Sequence, residues 1–341
     1  MPLKEIVGRR TKRDPRSPAH AAGSRRMSLR ARAEWEHSLA IMAAVAGTGL
    51  IPGRALVLFF AQLKSAMWPG ILTASALFGA MAGFRARESF GGRTTGPTPL
   101  GSDFSGRLVH WLRSLFAALV TAVMLARTGK LGTLTLPMAH GYAAGVAIAA
   151  VAALWLRASG PEGASAAGAA VYIAVVLFYA GMALDPRPVR LYDWCETELR
   201  LAGRLEAAIP LALLFACMNG AAAAWVRGPA RGAVRPLGLG AKAGGMLCAA
   251  LVLGALALMR GGDALLGQAM PWTVLSARWG TAGFWVCALV EYACDVTALS
   301  ASLGMLLGNL GRAGRRRTAA VCMLALSALL FAILTAEEFA R

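Results

Sequence analysis

Residues 40–63 read AIMAAVAGTGLIPGRALVLFFAQL. The stretch is long and apolar enough to cross a bilayer, which takes roughly 20 helical residues. Its centre is nevertheless a poor helix, because Gly47, Gly49, Pro52 and Gly53 fall close together. Proline lacks a backbone donor, and glycine and proline cost about 1 and 3 kcal/mol in a helix interior. Hydrocarbon tolerates a broken backbone only where protein buries it or a cavity hydrates it. A span interrupted near its middle therefore points to a transporter binding site, with a kinked helix packed through small residues as the plainer alternative.

The rest of the chain supplies the membrane context. Of 341 residues, 57% are hydrophobic and 15% charged, against about 25% charged in a soluble domain. The apolar residues come in blocks of about twenty, so the expected class is an all-α, polytopic integral membrane protein. Nine spans are expected, near 39–63, 67–84, 108–127, 136–156, 166–184, 209–226, 241–260, 281–308 and 318–336. The net charge of +18 is concentrated in the N-terminal segment and in alternate loops. Ten Lys/Arg against four Asp/Glu precede His37. Further clusters lie at Arg85, Arg87 and Arg93, at Arg227, Arg231 and Arg235, and at Arg312, Arg315, Arg316 and Arg317. That alternation predicts a cytoplasmic N-terminus. Residues 1–36 are expected as a basic, disordered cytoplasmic tail and 37–341 as one transmembrane domain. Within the tail, Arg30 to His37 is expected to form a short interfacial helix with Trp35 at headgroup level. The loop from Asp185 to Ala208 is expected on the opposite surface, and its VRLYDWCETELRLAGRLEAA (189–208) reads as an amphipathic helix lying there. The expected partners are the lipid bilayer, a small solute and a proton or sodium ion, and not nucleic acid.

A second break is expected in the sixth span, IPLALLFACMNGAAAAWVR, where Asn219-Gly220 is a turn signal inside an apolar run. Five spans separate the start of the first span from the start of the sixth, the spacing of a five-plus-five inverted repeat. Gly47, Thr48, Gly49, Leu50 and Gly53 from the first break, with Met218, Asn219 and Gly220 from the second, are the candidate solute-binding residues. Amides freed by unwinding would receive the carboxylate or polar end of a solute.

These segments carry a family resemblance. AGTGLIPGRALVLFFAQL resembles the first span of the YkvI family of bacterial membrane proteins through Gly47, Gly49, Gly53, Phe59 and Phe60. VTAVMLARTGKLGTLTLPMAHGYAAG resembles that family's third span and following loop through Met124, Ala126, Gly129, Leu136, Pro137 and Gly141. LLFACMNG resembles the family's sixth span. The resemblance implies a LeuT-like inverted-repeat core, as in the amino acid–polyamine–organocation superfamily, with broken first and sixth helices. Three features depart from the family pattern. Arg54-Ala55 stands where the family has a polar residue and a glutamate, Arg127 stands at a small-residue position, and one span instead of two follows the eighth.

The eighth span, TAGFWVCALVEYACDVTALSASLGMLLG, holds the chain's most telling polar residues. Glu291 and Asp295 are four apart and share a helical face, which Ser302 joins. Thr297 and Ser300 fall roughly opposite. Carboxylates in a span are costly and mark ion or proton paths. By resemblance to LeuT-like proteins, which place sodium between the first and eighth spans, the Thr297/Ser300 face is an ion-site candidate. Arg54, at similar depth, is expected to pair with Glu291 or Asp295 and to act as a substitute cation or gate.

Five of the six cysteines lie in spans without metal-ligand spacing, and the histidines are scattered. No catalytic residue, metal or cofactor is expected, and no enzyme activity. The expected function is secondary transport of a small organic solute, an amino acid or amine, driven by a proton or sodium gradient. The alternative is a non-transporting membrane protein with an interaction or sensing role.

Overall fold

The computed structural model describes residues 18–50, 54–60, 63, 66–90, 104–136, 140–185, 201–226, 233–260, 271–310 and 315–339. Every regular element among them is helical. Helix α1 (Pro18–Val45) runs into a π-helical turn (Ala46–Leu50), and α2 (Arg54–Phe59) follows. Then come α3 (Met67–Phe90), α4 (Phe104–Thr135), α5 (Gly141–Ala158), α6 (Gly160–Ala183), α7 (Leu201–Ala223) and α8 (Pro236–Met259). The short α9 (Pro271–Ser276) and a 3₁₀ turn (Ala277–Trp279) lead into α10 (Gly280–Leu310), and α11 (Arg315–Phe339) closes the order.

Among the described residues, eight helices are long and apolar enough to cross a membrane. The ninth expected span, the first, is missing from that count because its α-helical part ends at Val45, where the π turn begins. Leu72, Phe84, Trp155, Leu177, Leu237 and Leu289 are exposed on these helices, an outward apolar surface suited to lipid. The chain is a multi-pass membrane protein.

In lipid, apolar helices gain little by hiding from their surroundings, so close packing decides which helices pair. Helix α3 lies along α8, where small residues let the backbones meet. A side chain on Gly79 would sit 2.6 Å from the Gly240 carbonyl, and one on Gly240 would sit 2.5 Å from that of Gly79. Helix α1 packs on α6 and α8, α7 on α3, α4 on α5 and α10, α5 on α10, and α11 on α4 and α10. The buried aromatic cluster joins Tyr179 of α6 to Trp272 of α9, ring centres 4.6 Å apart.

Three sequence expectations need correction. The sixth span is unbroken: α7 is helical through Met218, Asn219 and Gly220. Asn219 turns its amide onto its own helix, Nδ2 donating to the Phe215 carbonyl at 2.8 Å, while Met81 of α3 packs over Gly220. Tertiary packing thus overrides a local turn preference. The tail differs too, since residues 18–36 are the first part of α1. Arg32 and Glu36 pair one turn apart at 2.8 Å, and Ser165 Oγ donates to the Glu36 carbonyl at 3.0 Å. The short interfacial helix is accordingly a piece of a long one, with Trp35 half exposed. Finally, α7 begins at Leu201, so the last residues of the expected surface helix belong to α7. The remainder of that segment, with Cys195, lies outside the described residues.

Candidate functional site

The interruption of the first span is built from its glycines. The π turn packs directly on α10, and a Cβ on Gly47 would collide with the Cys294 carbonyl and the Ala298 side chain. Only glycine permits that approach. Thr48, next in sequence, places Oγ1 3.1 Å from the Val45 carbonyl and 3.4 Å from Asn219 Oδ1 of α7. The structure therefore brings the two expected segments together at the Thr48–Asn219 contact, and both are helical there, the first as a π turn and the second as α-helix. Met218 and Gly220 lie on the same turn of α7 as Asn219. Gly49 and Leu50 complete the π turn, and Gly53 lies outside the described residues.

Around α10 the two faces separate as their spacing requires. Thr297 Oγ1 lies 3.0 Å from the Ala43 carbonyl of α1 and 2.9 Å from the Cys294 carbonyl. Beyond Thr297 and Ser300 lies a cavity of about 1100 Å³ between α1, α5, α6 and α10. Its inner end is formed by Ala43, Ala44, Thr297 and Ser300, all buried. Its outer lining carries charge from Arg32, Glu36, Arg157 and Glu162. This is the end of the bundle at which α8 begins. There Glu34 of α1 takes a 2.6 Å bond from Lys242 Nζ and a 3.1 Å bond from the Arg235 backbone N–H. The Lys242 ammonium also sits 5.3 Å from the centre of the Trp35 ring. Burial pushes the Glu34 carboxyl up, but the two hydrogen bonds and the Lys242 and Arg235 charges outweigh it and hold it below the ordinary carboxylate range. At the other end, Trp279 Nε1 donates to Asp185 Oδ2 at 3.0 Å and Arg260 Nη1 to the Asp185 carbonyl at 2.5 Å. These bonds tie α6, α8 and the 3₁₀ turn together.

The opposite face of α10 meets α4. Ser302 Oγ and Thr121 Oγ1 are 2.9 Å apart. Further along, Glu291 and Asp295, 1% and 0% exposed, confront Arg127. Arg127 Nη1 lies 3.1 Å from Asp295 Oδ1, and Nη2 lies 3.8 Å from Glu291 Oε2. The charges are close, yet the Nη1–Oδ1 approach lacks hydrogen-bond geometry. Both Asp295 carboxylate oxygens and Glu291 Oε2 are buried without a hydrogen bond. The cation beside the carboxylates among the described residues is Arg127, and the side chain of Arg54, the partner expected from depth, lies outside the described residues.

Sequence reasoning singled out Arg127 only as a departure from a family pattern. The signal that could have found it was simple: a lone arginine well inside the third span requires a buried anion, and the eighth span offers two. Nothing local in the sequence marks the charged lining of the cavity, because Arg157 and Glu162 sit at a helix junction of ordinary composition. No group of three or more metal-ligating side chains occurs among the described residues. Compared with protein-family models and with curated proteins, the chain matches none.

Proposed function

We propose that this chain is a secondary transporter that moves a small organic solute, an amino acid or amine, using a proton or sodium gradient. The observation that carries the reading is the cavity of about 1100 Å³. It leads from a charged opening to the Thr297/Ser300 face, beside the part of α1 that precedes the π turn. An irregularly wound span packed on an intact one next to an open cavity is compatible with a midplane solute site.

The packing pattern supports an inverted-repeat, LeuT-like core. Exchanging α1 with α7, α3 with α8, α4 with α10 and α5 with α11 turns the α1–α8 contact into α7–α3. The same exchange turns α4–α5 into α10–α11, and α10–α5 into α4–α11, all of which occur. Helix α6 has no mate in this exchange. The resemblance to the YkvI family fits the same architecture. The charged opening lies at the end where the basic segments before and within α8 meet α1, so we place it, with the N-terminus, on the cytoplasmic side of a bacterial inner membrane. The solute is held by Thr48, Asn219 and the amides of the π turn, and the reading includes no catalytic step.

Uptake into liposomes tests it. Purified protein is reconstituted and screened with amino acids and amines under an imposed proton or sodium gradient. Accumulation of one solute class under one gradient, lost on replacing Gly47 by a residue whose side chain strikes α10, is the expected result. Absence of accumulation across the whole screen, with correctly inserted protein, overturns the reading in favour of a non-transporting role.

A further inference from the structure

We propose that Glu291 is a proton-binding site, with Arg127 and Asp295 as its fixed ion pair. Three charged groups share one buried pocket between α4 and α10, and their charges do not cancel. Arg127 supplies one positive charge, whereas Glu291 and Asp295 ionised together supply two negative ones. A net charge in a site this dry is costly enough that the site binds a neutralising ion or takes up a proton.

Geometry says which carboxylate takes it. Asp295 is the nearer to Arg127, at 3.1 Å against 3.8 Å for Glu291, and it has no exposure at all. Asp295 and Arg127 therefore form the neutral pair, and Glu291 is left as the group with an unmatched charge. Among the described residues, the other titratable groups around the two carboxylates are Cys287, Tyr292 and Cys294 on α10 and Tyr179 on α6, and none of them is a second cation. Cys287 Sγ stands 3.9 Å from Glu291 Oε1, which leaves Oε2, without a hydrogen bond, as the acceptor of the proton.

The same chemistry argues against a metal cation. A sodium ion needs several oxygen ligands, and here a guanidinium already occupies the side from which it would bind both carboxylates. A proton needs one lone pair. In the loading step hydronium gives its proton to Glu291 Oε2: one O–H bond of the hydronium breaks, the Glu291 O–H bond forms, water is left, and the pocket becomes neutral. Release reverses it.

As the coupling ion of a transporter, this proton rests on the transport reading. As a bound proton, it stands apart from it. The test is infrared difference spectroscopy of the full-length protein in lipid, titrated from about pH 5 to pH 9, a window around neutrality, without any solute. The wild type is expected to show the C=O stretch of one buried carboxylic acid that fades as pH rises. Glu291→Gln should abolish that band, and Asp295→Asn should abolish it too, because either change leaves a neutral pair. Arg127→Gln should instead intensify it. A wild type with no buried carboxylic acid at any pH would overturn the proposal. So would a band that survives in the Glu291→Gln, Asp295→Asn double variant, or one displaced by sodium at fixed pH. The wild-type titration needs no variant to fold. A positive titration with no uptake in liposomes would refute transport and leave the proton site standing.

Discussion

Two long helix pairs run through this bundle, and they are built on opposite principles. The α3–α8 seam is packed backbone to backbone through Gly79, Gly83, Gly240 and Gly244. The α4–α10 seam is held by Arg127, Glu291, Asp295 and the Thr121–Ser302 contact. The first seam depends on shape, and its contacts have one arrangement. The second depends on charge, so its strength varies with the protonation of its carboxylates.

The largest effect should come from breaking the charged seam unevenly. Arg127→Met leaves two buried carboxylates without a cation and should destabilise by about 3–5 kcal/mol. Adding Glu291→Gln and Asp295→Asn to it should recover much of that loss. Thermal unfolding of the four proteins in lipid nanodiscs checks this, and strict additivity would mean the three side chains do not interact.

The glycine seam should behave differently. Gly79→Leu forces a side chain into the Gly240 carbonyl and should cost about 1–3 kcal/mol. That cost should be the same at every pH and should add to the cost of Arg127→Met, since the two seams share no partner. Unfolding followed over a pH series would distinguish them.

Glu34 offers an intermediate case, a charge that clamps α1 to the start of α8. Glu34→Gln should cost about 2 kcal/mol, typical of a hydrogen bond to a charged group. The folded carboxyl is held below its ordinary value of about 4.3. Its contribution is therefore complete above that value and disappears as pH falls through the lower, folded one. Wild type and Glu34→Gln should converge in stability in acid and diverge near neutrality. A constant gap would mean that Glu34 acts by packing alone.

The smallest effect belongs to the neutral bond in the charged seam. Ser302→Ala should cost about 1 kcal/mol by leaving Thr121 without its cross-helix partner. Thr121→Val in the same background should add little more, which a double-mutant cycle on thermal stability would measure.

The sequence by itself determined the class of protein and the place where its first span fails. Composition and block length decide membrane insertion, because hydrocarbon selects apolar helices whatever their neighbours. Gly47 and Gly49 mark the departure from α-helical winding over Ala46–Leu50, because backbone preference is a local property. The facing of Glu291, Asp295 and Ser302 away from Thr297 and Ser300 was likewise readable from helical periodicity alone. Only the tertiary structure decided the rest. Asn219-Gly220 stays helical because Asn219 bonds to Phe215 and Met81 covers Gly220, and neither fact is local. Arg127 meets the carboxylates because α4 packs on α10. Depth along a span ranks possible partners, but which helices touch is set by small-residue surfaces that side-chain type hardly records.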